Sequence, residues 1–258
     1  MSNQRVKNVA EAAGHQPRDI IIEQPKVHSV ALEVEGTSGL IQNCFSQKAV
    51  EQMLKKHMGI TVQKESKKPR EVLESATIRN IDGKVCIPPT AFKKAMLTAS
   101  TSIKGQKKTQ LRTMLFVEGK SVPITYERME PRMDMVRTSG MARTPDVRFR
   151  PEFVGWKARM VIQFSDQLSV ATVVDLLNRA GGVGVGEWRP EKDGTFGTFR
   201  VVRNITAPEE VAEVREACAI ALVSLRIPEW ALDADIDPEL LRKIAGSDGG
   251  SGEEEVSN

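Results

Sequence analysis

Aromatic side chains are scarce. Phenylalanine, tryptophan and tyrosine make up 5% of the 258 residues, and Tyr126 is the single tyrosine. A protein that stacks successive bases on aromatic rings is therefore not expected. The three cysteines (Cys44, Cys86, Cys218) are far apart and form no CxxC pair. That excludes a disulfide framework and predicts buried free thiols in a reducing compartment. The histidines His15, His28 and His57 lack metal-ligand spacing. No serine occupies a nucleophile elbow, and no lysine-serine pair follows a glycine loop. These gaps predict a protein without metal, cofactor or enzymatic activity. No N-terminal apolar core suggests export, and no apolar run approaches the ~18 residues of a membrane span. The expectation is a cytoplasmic protein with no membrane partner.

The charge is abundant and unevenly placed. Residues 206–258 hold four basic and thirteen acidic side chains, net −9, which leaves +12 on residues 1–205. A basic body with an acidic end is the footprint of a polyanion binder, although a solvated surface with a solubility tail has the same composition.

Hydrophobic periodicity divides the chain. Residues 1–26 read as a polar N-terminal arm. Val30, Leu32 and Val34 alternate with polar or small residues and predict a strand over 27–35. Residues 46–57 predict a helix capped by Ser46, and residues 58–80 a basic, irregular connection. Residues 87–100 predict a second helix entered through Pro88 and Pro89 and capped by Thr90. Residues 111–126 predict two strands around a turn at Glu118-Gly119-Lys120. Trp156 to Phe164 alternate as a strand, and Ser169 caps a helix that Gly181 and Gly182 end. A strand over 196–202 and a helix over 207–225 follow. Residues 206–245 form a C-terminal helical segment and 246–258 a disordered acidic tail. The order is β, α, β, β, α, β, a ferredoxin-like α+β core over 27–205 with one sheet face open, and residues 127–155 are a long arginine-rich hairpin insertion in it.

Three features carry the candidate chemistry. The first is the insertion 127–155, with Arg128, Arg132, Arg137, Arg143, Arg148 and Arg150 and no steady apolar period. Guanidinium forks match phosphate oxygens, so the stretch predicts a nucleic-acid clamp. The alternative is an irregular hairpin whose arginines pair with Glu127, Glu130, Asp134, Asp146 and Glu152 of their own or a neighbouring subunit. Asp134 is a candidate for phosphodiester cleavage, but one acid in a loop is a thin basis for a nuclease. The second is the glycine-rich run with Gly182, Gly184, Gly186 and Arg189. It follows a helix and leads into a strand, which excludes a dinucleotide loop. It predicts a loop laid against a backbone or a partner chain, or a plain turn with Trp188 as a lid. The third is Lys93 and Lys94 near a helix N-terminus, with Lys104, Lys107 and Lys108 beyond it.

IPPTAFKKAM, RTPDVRFRPEFVGWKARMVIQF (143–164) and GVGEWRPEKDGTFGTF, in that order over residues 27–203, resemble the RAMP superfamily. The resemblance is to backbone subunits of CRISPR effector complexes and related stand-alone phage proteins. It implies an RRM-like core that polymerises along guide RNA. It also implies that residues 127–155 form a thumb or finger, and that segment 181–186 and the Lys93/Lys94 helix face RNA.

The leading expectation is a non-enzymatic, self-assembling binder of single-stranded nucleic acid, RNA rather than DNA, that tracks the backbone. A phage recombination or single-strand annealing protein is the alternative that the acidic tail suggests. A phage shell or tube subunit is the alternative from a different class.

Overall fold

A computed structural model of the chain describes residues 26–58, 66, 68–103, 105, 107–137, 144–228 and 231. The arm over residues 1–25, the acidic tail, Lys104 and Arg143 lie outside the described residues. So does nearly all of the C-terminal segment beyond 228.

The protein is α+β, with two antiparallel sheets. The larger is built on β1 (Val27–Gly36) and β8 (Lys157–Ser165). Both alternate along their length. Val30, Leu32 and Val34 of β1 and Ala158, Met160, Ile162 and Phe164 of β8 turn to one side and are buried. β1 pairs with β8 on one edge and with β9 (Phe199–Ile205) on the other, both antiparallel. β8's far edge is shared by β4 (Leu115–Val117) and β5 (Val122–Thr125), and β3 (Cys86–Ile87) pairs with β5.

Two helices cover the inner face. α3 (Pro89–Ala99) contributes Phe92, Ala95 and Met96, and α5 (Val170–Val183) contributes Val173, Leu176 and Leu177. Trp156 sits fully buried at the end of β8 and donates its indole N–H to the Ser38 carbonyl at 2.9 Å. Three further helices are α1 (Gln47–His57), α2 (Pro69–Ala76) and α4 (Lys108–Met114). The sixth, α6 (Pro208–Ala219), lies on the outer face of the large sheet. Its Val214 and Cys218 pack on Ala31, Val161 and Ile205. Ion pairs of Glu33 with Arg159 and Arg203, and of Glu210 with both arginines, lace the strands beside it. The face expected to be open is therefore partly covered by α6.

Several local expectations change. The two strands expected over 111–126 form on either side of residues 118–121 as β4 and β5, but Lys108–Met114 is helical, and the strands lie end to end along β8 rather than against each other. The intervening segment turns toward α6, where Lys120 and Ser121 donate their N–H groups to the Cys218 carbonyl. The cap of α3 is Pro88, with Pro89 at its first turn, not Thr90. Gly181 and Gly182 stay helical, and α5 ends at Gly184, whose φ of +80° a side chain would resist. Gly181 is required by packing instead, since a Cβ there would collide with the Phe199 carbonyl oxygen of β9. The helix expected over 207–225 stops at Ala219, and residues 69–76 are helical within the stretch read as irregular. Cys86 and Cys218 are buried, but Cys44 is exposed. The caps at Ser46 and Ser169 form as their sequences predict, accepting from Ala49 and Thr172 N–H.

Candidate nucleic-acid interface

The segment read as aperiodic is a regular hairpin. β6 (Arg128–Arg137) and β7 (Pro145–Val154) pair antiparallel along their full length, and β2 (Leu40–Ile41) joins β7 to make the second, three-stranded sheet. Its register sorts the side chains. Arg128, Glu130, Arg132 and Asp134 share one face with Arg148, Arg150 and Glu152 of the opposite strand. Met129, Pro131, Met133 and Met135 share the other with Val147, Phe149, Pro151 and Phe153. α2 packs against β7, while Met133 and Met135 remain 69% and 77% exposed.

On the charged face, arginines and acids pair within the hairpin. Arg128 meets Glu130 at 2.6 Å, and Arg132 meets Glu152 at 2.7 Å and Asp134 at 3.2 Å. Arg148 lies 3.8 Å from Asp146. Hydrogen bonding to Glu152 raises the Arg132 pKa above its ordinary value. Arg150 is only 2% exposed, 3.8 Å from Asp134, and burial pulls its guanidinium below its ordinary pKa. Arg137 is exposed near the end of β6.

The glycine loop caps this cluster. Trp188, at φ +50°, lies 5.3 Å from the Arg150 guanidinium and 5.7 Å from that of Arg132, which also lies 4.7 Å from the Phe196 ring. The loop is laid against its own chain: Glu187 donates to the Ile41 carbonyl at 2.9 Å and Gly197 to Gly39 at 2.8 Å. Gly186 permits that approach, because a Cβ would strike the Ile41 carbonyl.

The lysines divide. Lys93 donates to the Arg112 carbonyl at 2.9 Å and rests 3.9 Å over the Phe116 ring, and burial lowers its pKa. Lys107 and Lys108 are exposed at the start of α4. Lys94 points into a cleft of about 240 Å³ together with Asn43, Thr90, Gly186, Glu187 and Arg189. Arg189 bridges the Gly186 carbonyl at 2.9 Å and Glu191 at 2.8 Å. Gly184 is buried in the turn behind the cleft, and Gly182 is exposed on α5, with open space around it. The structure thus joins Lys94, Gly186 and Arg189, and separately Arg132, Arg148 and Arg150. The alternative read from the sequence, a hairpin whose arginines pair with its own acids, is the one that forms, while Trp188 as an arginine partner and the match of Arg132 to Glu152 and Asp134 in particular were not read. Their juxtaposition depends on strand register, which no local pattern announces.

Among the described residues, no group of three or more His, Cys, Asp or Glu is placed to hold a metal ion. No described helix is long and apolar enough to cross a membrane.

No family model matches the chain, and no curated protein matches it. Among solved structures, it is similar to the type III-B Cmr-beta complex bound to cognate target RNA, at 10% identity and a TM-score of 0.43. That match covers 79% of this chain and 64% of the other, so the chain spans less than two thirds of that relative. It is also similar to Cmr6 from Pyrococcus furiosus, at 9% identity and a TM-score of 0.36, over 69% of this chain and all of that one. Both likenesses are to Cmr structures, at 10% identity or less.

Proposed function

We propose that this chain is a non-enzymatic, self-assembling binder of single-stranded nucleic acid, of RAMP type, that grips the backbone and takes RNA in preference to DNA. In this reading β1, α3, β4, β8, α5 and β9 form a ferredoxin-like core, and β6–β7 is its inserted thumb.

The observation that carries the reading is the cleft at the first turn of α3. Lys94 and Arg189, from segments far apart in sequence, line it with Gly186 and Glu187, and Arg189 is paired with Glu191. A helix N-terminus flanked by two cations and a glycine favours phosphate. The scarcity of aromatics favours backbone contact over base stacking.

The test is fluorescence anisotropy with labelled oligouridylate and mixed-sequence oligomers. Lys94→Ala with Arg189→Ala should weaken binding about tenfold for every sequence and flatten the salt dependence. Equal affinity in parent and variant would remove the cleft from the interface. Arg137→Ala with Arg143→Ala tests the hairpin in the same assay.

One observation favours a second reading, a shell or tube subunit: Met129, Met133, Met135 and Val147 form an exposed apolar face on the hairpin. The ultraviolet absorbance ratio of freshly purified protein separates the two. Co-purifying nucleic acid supports the first, and assembly without it supports the second.

A further inference from the structure

The charged face of the hairpin is closed on itself, yet incompletely satisfied. Arg150 Nε and Nη1, Arg132 Nε and Asp134 Oδ2 are all buried without a hydrogen-bond partner. Arg150 Nη1 and Asp134 Oδ2 face each other at 3.8 Å, too far for a hydrogen bond. Trp188 closes the cluster while holding a left-handed φ that non-glycine residues rarely adopt. A buried guanidinium with idle N–H groups is costly, and so is a strained backbone. Moving the indole aside would let those donors reach solvent or an oxyanion.

We propose that this arrangement is a mask: Asp134 and Glu152 act as internal counter-anions to Arg132 and Arg150, Trp188 is the lid, and a polyanion engages the arginines by displacing the acids. The proposal rests on the nucleic-acid reading above. It explains why an arginine-rich element carries its acids on the same face, at 2.7 Å and 3.2 Å from Arg132, rather than on the opposite one. Backbone phosphates would take the place of the two carboxylates and meet donors already pointed inward.

The test compares Asp134→Asn with Asp175→Asn, a charge-matched change on α5 at an exposed i,i+4 pair with Arg179. Two measurements are made on the full chain: anisotropy with labelled oligouridylate, and acrylamide quenching of tryptophan fluorescence without ligand. Asp134→Asn should raise affinity at least fivefold more than Asp175→Asn. It should also raise quenching, and that gain should vanish when Trp188→Phe is added. Equal affinities for the two variants, or unchanged quenching in Asp134→Asn, would overturn the mask. Glu152→Gln repeats both measurements if Asp134→Asn loses cooperative unfolding. If no form binds the oligomer but quenching still rises, the nucleic-acid reading fails and only the lid remains.

Discussion

Pro131 and Pro151 stand directly opposite each other across the β6–β7 ladder. The Pro151 carbonyl accepts from Gln42 N–H, so it points away from β6. An opposed pair of this kind directs its backbone groups outward on both strands, and a missing N–H costs the ladder nothing there. On β6 the outward side is the free edge of the sheet, where proline removes a donor that another strand would use.

Restoring that donor should therefore promote edge pairing. Pro131→Thr is expected to give a sedimentation coefficient that climbs more steeply with protein concentration than the parent's. If the two climb alike, the edge is protected by something other than proline.

Two adjacent glycines should respond oppositely to alanine. Gly181 is pressed against Phe199 of β9, and overpacking of this kind costs about 1–3 kcal/mol. Gly182 is helical, exposed and surrounded by open space. Its change to alanine should stabilise by about 0.5–1 kcal/mol through helix propensity. Urea denaturation of Gly181→Ala and Gly182→Ala reads both.

Burial pushes the Cys218 thiol up to about 11 from the ordinary 9.0. The folded-state value is the higher one, so this contribution to stability is intact below pH 9 and is lost as pH rises towards about 11. Melting temperature should fall across that window, and fall less in Cys218→Ala. Iodoacetamide at pH 8 should label Cys44 in the folded protein and all three thiols after denaturation.

Gln42 is buried between elements. Its amide donates to the Cys86 carbonyl at 2.9 Å and accepts from Ile78 N–H at 2.8 Å. Gln42→Leu keeps the bulk and strands both backbone groups, each at a cost of about 1–3 kcal/mol. A loss of only a few tenths in chemical denaturation would show that water replaces the side chain.

The parts legible in sequence are those whose burial follows one local period. β1 and β8 alternate cleanly, and the Ser46 and Ser169 caps bond as expected. The hairpin itself was expected, but its register was hidden because both its faces depart from the usual pattern. One carries mixed charges and the other carries methionine and proline, so alternation appears only once the register is known. The end of α5 was misplaced because Gly181 answers to a strand many residues downstream, not to a turn. The same holds for the site. Lysine and arginine content was visible, but the pairing of Arg132 with Glu152 and the cover of Trp188 exist only in three dimensions.

The position of β1 has a consequence for the newborn chain. Among the described strands it is made first, and both its neighbours, β8 and β9, come much later. At a synthesis rate of about 5–20 residues per second, β1 waits on the order of ten seconds before either edge is paired. During that interval Leu32 and Val34, which end fully buried, have no native strand partner. Slower translation through residues 36–157 lengthens that exposure.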